Sequence, residues 1–172
     1  MVLRYVLLLA LAIAPFGAAA APDSWTVTID DHPGAQGCVA STGDSRWERI
    51  CLSYWCYPPA PGGYLMHLYV DFLGAKDFQF FDTLEELPIV MSIDGTSYGQ
   101  VLLTKDGHGG GDQYLFPEGW DHAPLLAGVR AGHVLTIQAL PVSGQKMPLD
   151  IQIPLTGSAH ALDTMLSHCP SE

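Results

Sequence analysis

The residues best suited to chemistry lie in one short run, Lys105-Asp-Gly-His-Gly-Gly-Gly-Asp112. Asp106, His108 and Asp112 are metal-ligating types within seven positions. Carboxylate oxygens of this kind suit calcium, and an imidazole added to them leans toward zinc. The run also partly echoes the glycine–aspartate repeat of calcium-binding β-helices, but that motif works by stacking many copies and one imperfect copy stands here. Gly107, Gly109, Gly110 and Gly111 oppose a metal site, because gathering donors on so free a backbone costs conformational entropy. The preferred reading is a polar hairpin loop facing water, with no metal and no cofactor.

Nucleophilic catalysis needs a serine or cysteine held beside an oriented base. The chain has no Gly-x-Ser-x-Gly elbow, and Ser53, Ser92 and Ser143 have no distinguishing context. The carboxylate doublets Asp30-Asp31 and Glu85-Glu86 are adjacent residues, which point to opposite faces of a strand. The expectation is therefore a protein that is not an enzyme. A metal-dependent hydrolase built on Asp106, His108 and Asp112 is the remote alternative.

Four cysteines, Cys38, Cys51, Cys56 and Cys169, make an even set. In an exported chain that reads as two disulfides. Three connectivities exist. Placing a four-residue loop at Gly43 to Arg46 sets Cys38 opposite Cys51 across a hairpin, which slightly favours Cys38–Cys51 with Cys56–Cys169. Export itself is read from the first twenty residues. Arg4 supplies a positive start, Val6 to Ala14 an apolar stretch, and Ala18-Ala19-Ala20 small residues for cleavage. Residues 1–20 are thus expected to be a signal peptide, and 21–172 a single secreted domain in the periplasm or outside the cell, without stable membrane insertion.

The whole chain carries a net charge of −11 with seven lysines and arginines. So acidic a protein has no electrostatic footprint for nucleic acid and is repelled by anionic membrane surfaces.

The elements that must position these residues are mainly strands. Apolar and polar residues alternate over Trp25–Ile29 and Ile151–Thr156, Tyr64–Leu73 carries one wholly apolar face, and Pro88–Ile93, Ser97–Leu103 and Val134–Leu140 read as further strands. Cys38–Ala40 and Trp47–Tyr54 read as hairpin arms, and Gln113–Phe116 as a further short strand. Asp94-Gly95 signals a tight turn. Thr83–Glu86 reads as one helical turn. Pro124–Ala131 reads as a short helix ended by Gly132, with Leu125, Leu126 and Val129 on one face. Ser158 is expected to cap a C-terminal amphipathic helix carrying Ala159, Leu162 and Leu166. The fold class is an antiparallel β-sandwich of about eight or nine short strands, with a short C-terminal helix and disulfide staples. Trp25 and Trp47 belong to the core. Trp55, Tyr57 and Trp120 flank loops and form the expected contact surface.

The chain carries, in order, Trp25-x-Val27, Gly37-Cys38-Val-Ala40, Ile93-Asp94-Gly95, Leu125-x3-Val129-x2-Gly132-x2-Leu135-Thr-Ile137 and Ile153-Pro-Leu155-Thr-Gly157-x3-Ala161-Leu162. In that order these short motifs resemble the invasion-associated locus B family of bacterial periplasmic proteins. The resemblance implies a small exported β-sandwich without an established catalytic activity, of a kind linked in some members to host-cell invasion. Many members carry a cysteine pair after the Ile-Asp-Gly hairpin, and Gly107 to Phe116 has none here. The functional expectation is a non-enzymatic binding or envelope-accessory module. It would recognise a protein partner, in the envelope or outside the cell, through loops at one end of the sandwich. The alternative is a glycan or small-molecule binder using its exposed aromatics.

Overall fold

The computed structural model describes residues 25–40, 49–56, 64–71, 84–106, 113–140 and 149–169. The segment 1–20, Trp47, Tyr57, His108 and Asp112 lie outside these.

Nine strands form one continuous antiparallel ladder in the order β1-β2-β3-β4-β7-β6-β5-β8-β9. They are β1 (Trp25–Thr28), β2 (Gly34–Ala40), β3 (Arg49–Cys56), β4 (Tyr64–Asp71), β5 (Glu86–Ile93), β6 (Thr96–Lys105), β7 (Gln113–Leu115), β8 (Val134–Ala139) and β9 (Leu149–Pro154). The helices are α1 (Ala123–Ala131) and α2 (Ser158–His168). Glu86 opens β5, so the helical turn expected at Thr83–Glu86 is not formed there.

The sheet folds on itself as a β-sandwich. Alternate residues of both halves meet in one core: Ile50, Leu52 and Tyr54 from β3, Leu87, Ile89 and Met91 from β5, Leu135 and Ile137 from β8, Ile151 and Ile153 from β9. The strands at its two ends come together, because the Trp25 indole of β1 donates to the Pro154 carbonyl of β9 at 3.1 Å. Pro154, having no amide hydrogen, also blunts that outer strand against further pairing.

β5, β8 and β9 obey the period expected of a sheet with one wet face. β5 alternates strictly along its eight residues. β3 differs, since Ile50 through Tyr54 are all buried. Both of its faces are covered.

Local sequence sets the corners. Asp94 (φ 48°) and Gly95 (φ 83°) both take positive φ and close β5 onto β6, the geometry an Asp-Gly two-residue turn favours. Gly37 has another purpose: a Cβ there would enter the Trp25 indole, so the ring lies flat against β2.

Two cystines complete the frame. Cys38 and Cys51 stand directly opposite in the β2–β3 ladder and are bonded. Cys56, at the end of β3, is bonded to Cys169, which caps the C-terminus of α2. No helix among the described residues is long and apolar enough to cross a membrane.

Candidate functional site: the helix-roofed end of the sandwich

The ladder register sorts the connections between two ends. Asp94-Gly95 joins β5 to β6, and Leu115 pairs with His67 of β4 and Thr104 of β6. Following these registers, the β1–β2 turn, the last residues of β3, the Asp94-Gly95 turn and the β7–α1 connection fall at one end. The last residues of β6 fall at the other. Trp55, near the end of β3, and Trp120, in the β7–α1 connection, thus share an end, while Tyr57 lies outside the described residues. Asp106 stands at the opposite end, where its amide donates to the Gln113 carbonyl at 2.7 Å. The metal reading at His108 and Asp112 lies outside the described residues. Among the described ones, no group of three histidines, cysteines or carboxylates is placed to hold a metal.

Both helices roof the end that carries the tryptophans. α1 buries Leu125 and Val129. α2 buries Ala161, Leu162 and Met165 over β1, β2 and β3. The two are joined at their near ends. Ser158 is fully buried, and its hydroxyl donates to the Val129 carbonyl at 2.6 Å. This corrects the expected capping role: the N-cap of α2 is Gly157, at φ 85°, and Ser158 is the first helical residue. Arg130 of α1 pairs with Asp163 of α2 on the outside.

Gly132 ends α1, as its position implied, but for a different reason. It is in extended backbone, at φ −88°, so no left-handed cap is involved. A Cβ there would strike Ile93 and crowd the Asp94 carboxylate, so glycine is required by close approach. Gly128 one turn earlier admits the Tyr98 hydroxyl in the same way. The Asp94 carboxylate then gathers the exit of α1. It accepts from the His133 amide at 3.0 Å, the Val134 amide at 3.0 Å and the His133 ring Nδ1 at 3.2 Å. Hydrogen bonds from His133 hold its carboxyl below the usual carboxylate range.

The entry to α1 is an aromatic corner. The Phe116 and Trp120 ring centroids are 4.9 Å apart, Trp120 and His122 5.1 Å, and Phe116 and His122 6.0 Å. Asp121 accepts from the Ala123 amide at 3.1 Å, and the His122 carbonyl takes the first helical bond from Leu126 at 2.9 Å. Burial pushes the His122 imidazole below its ordinary value, against the opposing pull of Asp121.

The tryptophans chosen as contact residues are therefore only partly open. Trp120 is half-buried and packs against the core. Trp55 is half-buried and lies across β2, where a Cβ on Gly34 would meet its ring at 2.5 Å. Its indole nitrogen is buried without a hydrogen-bond partner, as are the Ser53 and Tyr54 hydroxyls. Tyr54 and Trp55 point to opposite faces of β3, so these groups do not converge on one pocket. Burial, reinforced by Tyr98, drives the Tyr54 phenol far up, so it stays neutral.

One serine–histidine contact occurs, Ser167 Oγ to His168 Nδ1 at 3.1 Å. Both atoms also lie against the Thr164 carbonyl, at 2.7 Å and 2.8 Å. They lie against a backbone carbonyl near the C-terminus of α2, local side-chain-to-backbone bonding of the kind that helix ends attract. A ring nitrogen donating to that carbonyl cannot act as the base for Ser167.

Sequence reasoning did not foresee the Asp94 clamp or the Phe116–Trp120–His122 corner. The spacing Phe116-x3-Trp120-x-His122 before a proline-started helix was the available signal for the second.

No family model and no curated protein matches the chain. Among solved structures, the fold is similar to that of invasion-associated protein B from Bartonella henselae. The TM-score is 0.54 at 16% identity, over 84% of this chain and 93% of that one.

Proposed function

We propose that this protein is a non-enzymatic envelope module of the invasion-associated type, and that it docks a protein partner at its helix-roofed end. The observation that carries the reading is the similarity to the Bartonella protein along nearly its whole length, on a β-sandwich held by two cystines. Cystines fit an extracytoplasmic compartment, where thiols are oxidised. The helix-roofed end collects the β1–β2 turn, the β7–α1 connection and the exposed faces of both helices on a rigid scaffold, the arrangement by which sandwich domains present contact residues.

The test is an affinity pull-down from envelope extract with the oxidised domain, read by mass spectrometry. A partner retained at moderate salt, and lost on Trp120→Ala or a charge reversal at Arg130 but not on Thr104→Lys on the outer sheet face, is the expected result. A partner retained equally by all three variants would move the contact away from this end. Capture of no protein by a well-folded sample would instead favour glycans or small ligands.

A further inference from the structure

We propose that His122 makes the N-terminal half of α1 an acid-released flap, hinged at Asp94. The two ends of α1 are fastened by different chemistry. At the start, His122 is wedged edge-on against Phe116 and Trp120, with ring centroids at 6.0 Å and 5.1 Å. Its Nδ1 is buried and has no hydrogen-bond partner. A neutral imidazole fits this corner through its apolar face. A proton placed on the ring would bury an unpaired N–H beside two aromatic rings. It would also put a positive charge at the helix N-terminus, where the macrodipole disfavours cations.

Other charges near α1 do not cancel that cost. Asp121 is the carboxylate acting on His122, and the net effect of burial and Asp121 is still to disfavour the proton. One Asp121 oxygen is already engaged by the Ala123 amide. Glu118 lies exposed in the same connection. From the sheet, the group facing α1 is the Tyr98 phenol against Gly128. From α2, it is Asp163, paired with Arg130 near the far end of the helix.

At the exit of α1 the fastening is different. The His133 ring Nδ1 stands 3.2 Å from the Asp94 carboxylate. The same carboxylate holds two backbone amides just past the helix. Mild acid therefore unfastens the start of α1 and leaves its end held. Because the folded-state proton affinity of His122 is lowered, the closed flap is fully favoured above the free-histidine value near pH 6.5. That preference is lost as pH falls through this value toward the folded one. Opening would expose Phe116, Trp120 and the buried face of Leu125, a change of apolar surface at the end where the docking reading puts the partner. The flap itself stands whether or not that reading does.

The test is amide hydrogen exchange on the oxidised protein at pH 7.5 and pH 5.5, corrected for intrinsic exchange. Two amides separate flap from hinge: Leu126, bonded to the His122 carbonyl at 2.9 Å, and Gly132, bonded to the Gly128 carbonyl at 2.8 Å. The expected result is a loss of protection at Leu126 in acid with Gly132 unchanged. His122→Phe, which keeps an aromatic ring and cannot take a proton, should protect Leu126 equally at both pH values. Unchanged protection of Leu126 in the wild type, an equal loss at both amides, or the same acid loss in His122→Phe would each overturn the proposal. Should His122→Phe misfold, the imidazole titration followed by NMR in the wild type decides, since a midpoint at or above the free value is incompatible with the flap.

Discussion

Replacing Ser158 separates two physical roles that a serine at a helix start can have. Its hydroxyl is 2.6 Å from the Val129 carbonyl, and the residue is 1% exposed. Val129 lies in the last turn of α1, where carbonyls lack an intrahelical partner. The amide four residues on, that of His133, is committed to Asp94. Ser158→Ala therefore leaves a buried carbonyl without this partner, a loss of about 1–3 kcal/mol. For a domain of this size that is a fall in Tm of roughly 2–12 °C. Ser158→Asp is the sharper variant. Aspartate caps helices as well as serine does, so a capping role predicts near-normal stability. A buried donor role predicts a loss larger than that of alanine, because a carboxylate cannot donate and would be set against a carbonyl. Thermal and urea unfolding of the oxidised protein, with the exposed Ser167→Ala as a control within about 0.5 kcal/mol of wild type, measures all three. Wild-type stability in Ser158→Asp would refute the donor assignment, and with it the direct tie between the two helices.

Three other perturbations follow from the same geometry. Removing Cys56–Cys169, which closes 113 residues, should cost about 5 kcal/mol by chain entropy, against about 3 kcal/mol for Cys38–Cys51, which closes 13; urea unfolding of the two double-alanine variants gives the order, and the reverse order would contradict it. Gly37→Ala should destabilise by about 1–3 kcal/mol through overpacking against Trp25, and the NMR signal of the Trp25 indole N–H, bonded to Pro154, should move with it. Asp94 has a folded-state carboxyl held low, so the stability it contributes is present above the ordinary aspartate value near pH 3.9 and is lost as pH falls through the folded one. Asp94→Asn should remove that part of the acid limb when stability is followed from pH 5 downward, and an unaltered limb would show that the clamp does not depend on charge.

How much of this was legible depends on whether the determinant is local. β5 and β8 were readable because Leu87, Ile89, Met91 and Ile93, and again Leu135, Ile137 and Ala139, alternate with residues that face outward. The Cys38–Cys51 opposition was readable because a hairpin register is set by its loop length. β7 shows the opposite case. Three residues cannot announce their neighbours, yet Gln113–Leu115 bridges β4 and β6 and so fuses the two halves of the molecule into one sheet. Nothing in its own pattern says that it also pairs with β4, which a long connection and the β5–β6 hairpin separate from it in the chain.

The roofed end was illegible for the same reason, and the tryptophans show it most plainly. A tryptophan beside a Pro/Gly loop reads as exposed, since loops lie at the surface. Trp55 is drawn across β2 because residue 34 is a glycine that leaves room for its ring, and Trp120 is drawn against the core because Phe116 and His122 close around it. In each case the partner that decides the burial is on another strand or across a turn. The same glycine logic governs the motif Leu125-x3-Val129-x2-Gly132-x2-Leu135. As a string it reads as a helix and its stop, and glycine as a left-handed cap. In the fold, Leu125, Val129 and Leu135 are core positions, and Gly132 is where Ile93 and Asp94 press on the chain. The Ile93-Asp94-Gly95 hairpin and this helix are thus two halves of one contact. Their joint appearance in the sequence is a consequence of packing, whatever the protein binds. Motifs of this kind identify the scaffold, and the docking function proposed above would draw on residues that the scaffold leaves exposed, on the outer faces of α1 and α2 and the turns beside them.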